Sequence, residues 1–301
     1  MSEINPAVDK LFQSVSEKGH VCVGLDTSLD YIPTLEREKA RNGAEAAFAF
    51  NKAIIDATYD IAACFKVQIA YYEELGVDGL SAYSRTLKYI REKNCLSIGD
   101  IKRGDIADTA KRYAKAHFSG DFKADFVTLS PYMGMDSIEP WLNEALVAGG
   151  GAFIITRTSN PGMRDFEYLE LKNGNRLYNA IGDKMSLLAR KYHGKKGFGL
   201  FGIVVGCTEK EEAAEIREKY SNLFFLIPGY GAQGGGAKDA ASLLVNGNGG
   251  VVNASRSIIT AWRNPDWLSK KSAESADNAF AAEAARDAAI KTRDDILRAI
   301  L

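Results

Sequence analysis

The 301 residues carry 38 Lys and Arg against 39 Asp and Glu, a net charge of −1 that gives nucleic acid no basic field to bind. A hydrophobic content of 46% supplies a full core, and a chain too long for one ordinary domain is still within the range of a single barrel domain. No apolar run reaches membrane-spanning length and the N-terminus lacks the apolar core of a signal segment, so no membrane partner and a cytoplasmic location are expected.

Cys22, Cys64, Cys95 and Cys207 are far apart with no C-x-x-C, which reads as small buried thiols in a reducing compartment. His20, His117 and His193 have no ligand spacing to one another, so a histidine metal site is not expected, while carboxylate sites stay open.

Pro6–Lys18 reads as an amphipathic helix, with Val8, Leu11, Phe12 and Val15 at helical spacing and Gly19 as its stop. Val21–Asp26 is a short buried strand ending on a carboxylate, and residues 27–42 read as a polar loop. Ala44–Tyr59 is helical, with an apolar stripe at Phe48, Ile55 and Tyr59. Ala62–Ile69 is a second buried strand, interrupted by one charge, Lys66. A helix over Leu80–Lys93 leads to a third strand from Leu96, which ends in Asp100-Ile101-Lys102-Arg103-Gly104-Asp105. Helices at Ile106–Phe118 and Ser137–Val147 alternate with strands at Asp125–Ser130 and Ala152–Arg157. Thr158-Ser159-Asn160-Pro161-Gly162 follows, and the alternation around Asn173-Gly174 in residues 168–178 predicts a hairpin inserted in a βα loop. After a helix to about His193 come strands at Leu200–Val205, Leu223–Ile227 and Gly250–Ala254, with helices at Glu209–Lys219 and Lys238–Val245 between them. The Ala-rich tail, Ala273–Leu301, predicts a helix packed on the outside.

Short apolar strands alternating with helices mean a parallel sheet covered on both faces. Eight such units predict an α/β fold, a (β/α)8 TIM barrel: one domain over residues 1–301 with its core at about 20–262. The absence of G-x-G-x-x-G after the first strand weakens an open dinucleotide-binding sheet.

In such a barrel the site lies at the carboxyl ends of the strands. Asp26, Lys66, Asp100 and Lys102 then converge on one mouth, and Ser159 follows strand five. Asp100 and Lys102 are two apart and share a strand face, and charges ending an apolar run are costly to bury unless they pair. Each alone has a structural explanation: Asp26 can cap a loop, Lys66 can snorkel to solvent, and the D-x-K-x-x-D spacing can be an incidental ion pair. Their convergence favours a functional site. Across the mouth, Pro228–Gly236 follows strand seven and Asn253–Ser257 follows strand eight, where barrels commonly bind phosphate. Glycines such as Gly234 and Gly235 let backbone N–H groups approach an anion, and Arg256 supplies a fixed cation; a mobile loop beside a surface arginine is the alternative.

Asp100-x-Lys102-x-x-Asp105-Ile106-x-x-Thr109 resembles the signature of the orotidine 5′-monophosphate decarboxylases. Asp26, Lys66, Thr158–Gly162, Pro228-Gly229-x-Gly231-Ala232-Gln233-Gly234-Gly235 and Arg256 fall in that family's order, so the resemblance spans residues 21–257. The length and the insertion resemble its longer bacterial branch. The resemblance implies decarboxylation of orotidine 5′-monophosphate to uridine 5′-monophosphate (UMP), the last step of pyrimidine synthesis, with no metal or organic cofactor and a homodimer with shared active sites. It implies that Lys102 protonates C6, that Asp100 sits against the substrate carboxylate, and that Lys66 and Asp105 complete a charge network. Asp105 and Thr109 would reach into the neighbouring subunit's site. Asp26 and Lys66 would hold ribose hydroxyls, Ser159 the pyrimidine edge, and Gln233 and Arg256 the phosphate.

Three other readings share some of these residues. A sugar-acid phosphate decarboxylase barrel has the D-x-K-x-x-D core but uses Mg²⁺, and Lys66 and Thr158–Gly162 argue against it. A Schiff-base aldolase would use Lys66 or Lys102 and be trapped by borohydride. A non-catalytic phosphate-ligand binder would hold UMP without consuming orotidylate.

Overall fold

The computed structural model describes residues 6–209, 211–231 and 234–301. Eight strands, β1 (Val21–Gly24), β2 (Cys64–Gln68), β3 (Leu96–Arg103), β4 (Phe126–Leu129), β5 (Gly151–Arg157), β6 (Phe201–Val205), β7 (Phe225–Ile227) and β8 (Gly250–Ala254), pair in sequence order. All pairs are parallel, and β1 closes on β8 to complete the expected (β/α)8 barrel. The strands are almost wholly buried, as follows from apolar runs with the barrel interior on one side and helices on the other. Lys66, Asp100 and Thr128 are polar exceptions, placed from the middle of β2 to the carboxyl halves of β3 and β4.

The principal helices are α1 (Ala7–Lys18), α2 (Gly43–Thr58), α3 (Gly76–Glu92), α4 (Ala107–Phe118), α5 (Glu139–Ala148), α6 (Leu177–Lys191), α7 (Ala213–Lys219), α8 (Ala237–Ala241) and α9 (Asn278–Ile300). Helix α1 lies across the amino-terminal end of the barrel. Its Ser14 hydroxyl donates to the Ala63 carbonyl at 2.7 Å, its Asp9 carboxylate accepts the N–H groups of Lys195 and Lys196, and Asn248 donates to its Phe12 carbonyl. These partners sit on loops that enter β2, β6 and β8, so α1 covers that end and the opposite end carries the mouth. Helix α9 is the predicted tail helix, capped by the Asp277 carboxylate accepting from the Phe280 N–H at 2.8 Å. It packs outside the barrel, against both α2 and α8. That places it as the eighth helix of the ring, closing the gap between the first and seventh units. A face of small side chains, Ala281, Ala284, Ala285 and Ala289, lets it approach closely.

Several local expectations change. Residues 27–42 are not only loop: they hold a 3-10 turn at Leu29–Tyr31 and a short helix at Thr34–Lys39, entered through Pro33, whose fixed φ suits a helix start. Of the expected stripe Phe48, Ile55 and Tyr59, only Ile55 is on the buried face of α2, with Ala44, Ala47, Phe50 and Ile54. Phe48 lies half-buried under the Arg85 guanidinium, 3.9 Å from the ring centroid, and Tyr59 is exposed. With alanine on every side of the helix, the period does not define one face. Helix α8 stops at Ala241, four residues short of the expected end. The inserted segment begins with a helical turn, Met163–Phe166, and its hairpin narrows to a single antiparallel bridge, Glu170–Arg176, around Asn173-Gly174. Gly174 takes φ +78°, the left-handed turn conformation that the Asn-Gly pair predicts.

Candidate active site

Three adjacent strands build the centre of the mouth. Lys66 on β2 and Asp100 on β3 are both 5% exposed, although one is a cation and the other an anion. Burial on these terms requires that each find partners. The Lys66 ammonium donates to Asp26 Oδ1 at 2.8 Å and to Asp100 Oδ2 at 3.0 Å. Asp100 collects four donors: Lys102 Nζ at 2.6 Å and the Thr128 hydroxyl at 2.8 Å on Oδ1, and Lys66 Nζ and Gln68 Nε2, each at 3.0 Å, on Oδ2. Burial alone would push the Lys66 ammonium down, but the Asp100 and Asp26 carboxylates reverse that and hold it above the ordinary lysine value. Burial likewise works to raise the Asp100 carboxyl, and the Lys66 and Lys102 ammonium groups outweigh it, keeping the group well below the usual carboxylate range. The cluster is an alternating row of carboxyl and amino groups, Asp26, Lys66, Asp100, Lys102, each within 3.0 Å of the next.

Lys102 differs from Lys66 in its setting. Its side chain is 50% exposed and its only ion-pair partner among the described residues is Asp100. Its backbone sits at φ +45°, a left-handed conformation that costs a non-glycine residue of order 1 kcal/mol or more. The β3–β4 register shifts between Gly99 and Arg103, and the N–H groups of Ile101 and Lys102 leave the ladder to donate to Thr128 Oγ1, each at 3.0 Å. One hydroxyl thus holds the distorted strand and also donates to Asp100.

The cluster opens into a cleft of about 270 Å³ lined by Asp26, Lys66, Asp100, Lys102, Thr128, Ser159 and Asn253. A second lobe, also about 270 Å³, shares Asp26, Pro228 and Asn253 with the first and extends over Tyr31, Tyr71, Gly229, Tyr230, Ser255 and Arg256. The two form one elongated cleft: a charged, partly apolar end and a hydroxyl-rich end with an exposed guanidinium. Arg256 has no ion pair among the described residues, so its charge is free to meet an anion.

The structure thus brings together Asp26, Lys66, Asp100, Lys102, Ser159 and Arg256. Asp105 and Thr109 are outside the cleft lining of this chain; Asp105 Oδ1 accepts from the Ile106 N–H at 2.8 Å, and Thr109 is exposed on α4. Gln233 lies outside the described residues. Gly234 and Gly235 do not present free donors as expected. Their N–H groups donate within the loop, to the Gly231 carbonyl at 2.9 Å and the Gly229 carbonyl at 3.1 Å. Positive φ at Gly229, Gly231 and Gly234 permits this tight winding, so the glycines set the shape of the loop. Gln68 and Thr128 were missed. Both are uncharged residues on the inward face of a strand, and the available signal was their spacing: Gln68 is two residues from Lys66, and Thr128 lies on the strand next to Asp100.

Known proteins resemble this chain in sequence and in fold. A family model described as "Orotidine 5'-phosphate decarboxylase / HUMPS family" matches residues 19–266. A Clostridium perfringens (strain SM101 / Type A) protein named orotidine 5′-phosphate decarboxylase is 57% identical over 293 residues, 97% of this chain and 99% of its own. A crystal structure from Streptomyces avermitilis ma-4680 superposes with a TM-score of 0.81 at 26% identity, covering 100% of this chain and 97% of that one. The structure of Leishmania donovani OMP decarboxylase superposes with a TM-score of 0.70 at 28% identity, covering 96% and 99%.

Proposed function

The chain belongs to the orotidine 5′-phosphate decarboxylase / HUMPS family, and from that premise we propose how it acts. It is an orotidine 5′-phosphate decarboxylase of pyrimidine biosynthesis, and Lys102 is the acid that replaces the departing carboxylate at C6. The observation that carries this reading is the Asp100 carboxylate fixed between Lys66 and Lys102, with Lys102 alone of the two reaching open solvent.

The C6–carboxylate bond breaks with its electron pair left on C6, and carbon dioxide departs. The Lys102 ammonium stabilises that developing carbanion and transfers its proton to C6, giving UMP; solvent then reprotonates the amine. Asp100 lies next to the position of the substrate carboxylate, where its charge raises the energy of the bound acid relative to the transition state. Asp26 and Lys66 face the ribose hydroxyls, and Ser159 the pyrimidine edge. Arg256 and Gln233 take the phosphate, whose binding energy orders the cleft at a distance from the bond that breaks.

The same reading makes the chain one barrel domain and half of a homodimer. Asp105 and Thr109 lie on an edge that also exposes Ile106 (47%), Tyr113 (38%), Tyr132 (89%) and Met133 (48%). The β3 and β4 loops meet there, with Gly104 against Ser130. An exposed apolar edge beside a cleft suits a second copy of the chain, which would receive Asp105 and Thr109. Four free buried thiols suit a cytoplasmic enzyme.

The test is the loss of orotidylate absorbance with purified protein. Wild type consumes the substrate; Lys102→Ala folds and loses turnover by about 10⁴-fold or more, the combined scale of a general acid and an electrostatic stabiliser. Turnover within tenfold of wild type in Lys102→Ala removes Lys102 from this role.

A further inference from the structure

We infer that the segment inserted after β5 is a positioning device for the base-side wall of the cleft, and that Glu167 is its working residue. The inference rests on the reading above, in which Ser159 faces the pyrimidine.

The loop Thr158–Gly162 runs along the cleft, with Thr158, Ser159 and Asn160 in its wall. Such a loop has no strand partner to hold it. The inserted segment supplies one. Glu167 takes the Thr158 N–H on Oε2 and the Thr158 hydroxyl on Oε1, both at 2.8 Å, with Asn160 Oδ1 at 2.7 Å as the hydroxyl's alternative acceptor. A carboxylate accepting two donors from one residue fixes that residue's backbone as well as its side chain. The adjoining residue is Ser159. Its other flank is also fixed: a side chain at Gly206, past the end of β6, would meet the Ser159 Cβ at 2.8 Å and Cα at 2.9 Å, so only glycine fits against it.

Glu167 is itself anchored. Its carbonyl accepts from the Tyr178 N–H at 3.0 Å, in the first turn of α6. The residues around it dock on the far side, where the loop after β6 enters α7. Tyr168 donates to Glu212 Oε2 at 2.6 Å, Arg176 pairs with Glu212 Oε1, and Arg164 pairs with Glu209 at 2.8 Å. Arg176 also stacks over the Tyr168 ring, 4.4 Å from its centroid. The insertion is thus fastened to the βα loops on both sides of it; its backbone meets the cleft wall where the Met163 N–H donates to the Asn160 carbonyl at 3.1 Å, and its side-chain hold on that wall is the Glu167–Thr158 clamp. No atom of Glu167 lines the cleft, so it acts through Thr158 and Ser159 rather than on the substrate.

A clamp on the base side predicts a loss confined to ligands that carry a base. Binding of UMP and of ribose 5-phosphate, which keeps the sugar and phosphate but has no pyrimidine, is measured by calorimetry. Glu167→Ala weakens UMP about tenfold, the scale of one mispositioned hydrogen bond, and leaves ribose 5-phosphate unchanged. Glu167→Gln can still accept the Thr158 N–H and donate to its hydroxyl, and binds UMP within about twofold of wild type. Thr158→Val removes only the hydroxyl half of the clamp; it gives a smaller loss of the same selectivity and carries the test if Glu167→Ala fails to fold. Equal weakening of both ligands, or UMP binding in Glu167→Ala like that of wild type, overturns the inference. Wild-type protein that binds neither ligand overturns instead the reading on which it rests.

Discussion

Replacing Asp100 by asparagine removes one of the two carboxylates that keep Lys66 charged inside the barrel. The Lys66 side chain is 6% exposed, with Asp26 at 2.8 Å and Asp100 at 3.0 Å. At 3.0 Å and an effective dielectric constant near 20, the Asp100 attraction is worth about 5 kcal/mol. Part of that is returned, because the variant no longer buries the Asp100 charge. Breaking a buried pair at one partner costs about 3–5 kcal/mol, and the surviving Asp26 contact puts the expected value near the lower end, about 3 kcal/mol. The amide adds a second penalty. Four donors converge on Asp100, and asparagine has one acceptor oxygen, so its NH₂ must face a donor. Urea unfolding at pH 7 measures the loss. Adding Lys66→Met to the Asp100→Asn variant should recover about half of it, since the uncompensated cation is gone while turnover stays lost. Asp100→Asn within 1 kcal/mol of wild type, or no recovery in the double variant, refutes the claim that Lys66 depends on Asp100 for its burial.

Arg256→Ala should lower kcat/KM for orotidylate by about 10–100-fold, the worth of a charge-assisted hydrogen bond, and leave binding of the nucleoside without phosphate unchanged; equal kinetics with wild type contradicts the phosphate assignment. Thr128→Val leaves the Ile101 and Lys102 N–H groups without their acceptor and should cost about 1–3 kcal/mol in urea unfolding together with a fall in kcat, whereas Thr128→Ser keeps both. His117 is buried among aromatic side chains; burial, with a smaller contribution from the Arg103 charge, lowers its pKa to about 4. Its folded value lies below the unfolded one, so the unfolded chain binds more protons between the two. Its contribution is complete above about pH 6.5 and shrinks as the pH falls towards 4, by about 2 kcal/mol between pH 7 and 5. His117→Phe should flatten that part of the stability profile, and an unchanged slope counts against the assignment.

The barrel was readable because each strand is an apolar run with its own helix, and the charges Lys66, Asp100 and Lys102 stood out against those runs. A charge in a buried strand conflicts with its surroundings and so draws attention. Thr128 and Gln68 create no such conflict, yet they supply two of the four donors to Asp100. The glycines of residues 229–236 allow left-handed turns, but identity alone does not say where their N–H groups point, and Gly234 and Gly235 turn them inward. The tail's role was hidden for another reason. Alanine composition predicts a helix, but only the closed ring shows that α9 fills the place between α2 and α8. The insertion gave its Asn-Gly turn to local sequence, while the Glu167–Thr158 clamp spans nine residues and depends on the path of the chain between them.

The two lysines of the cluster are the same residue type within 3.0 Å of the same carboxylate, and exposure separates their roles. A proton donor that turns over must touch the substrate and then regain its proton from water. Lys66, enclosed and held by two carboxylates, is costly to deprotonate, because neutralising it would take from Asp26 its ion pair and from the buried Asp100 one of its two. Lys102 is half exposed and shares only Asp100, so losing its proton leaves Asp100 still paired with Lys66, Gln68 and Thr128. The left-handed backbone at Lys102, sustained by Thr128, is where β3 leaves the regular β4 ladder. Strain of this kind persists only where the surroundings hold it, and here a single threonine ties the strained backbone of Lys102 to the Asp100 carboxylate that faces it. In the proposed mechanism the static pair, Lys66 and Asp100, fixes the field, and the exposed lysine moves the proton through it.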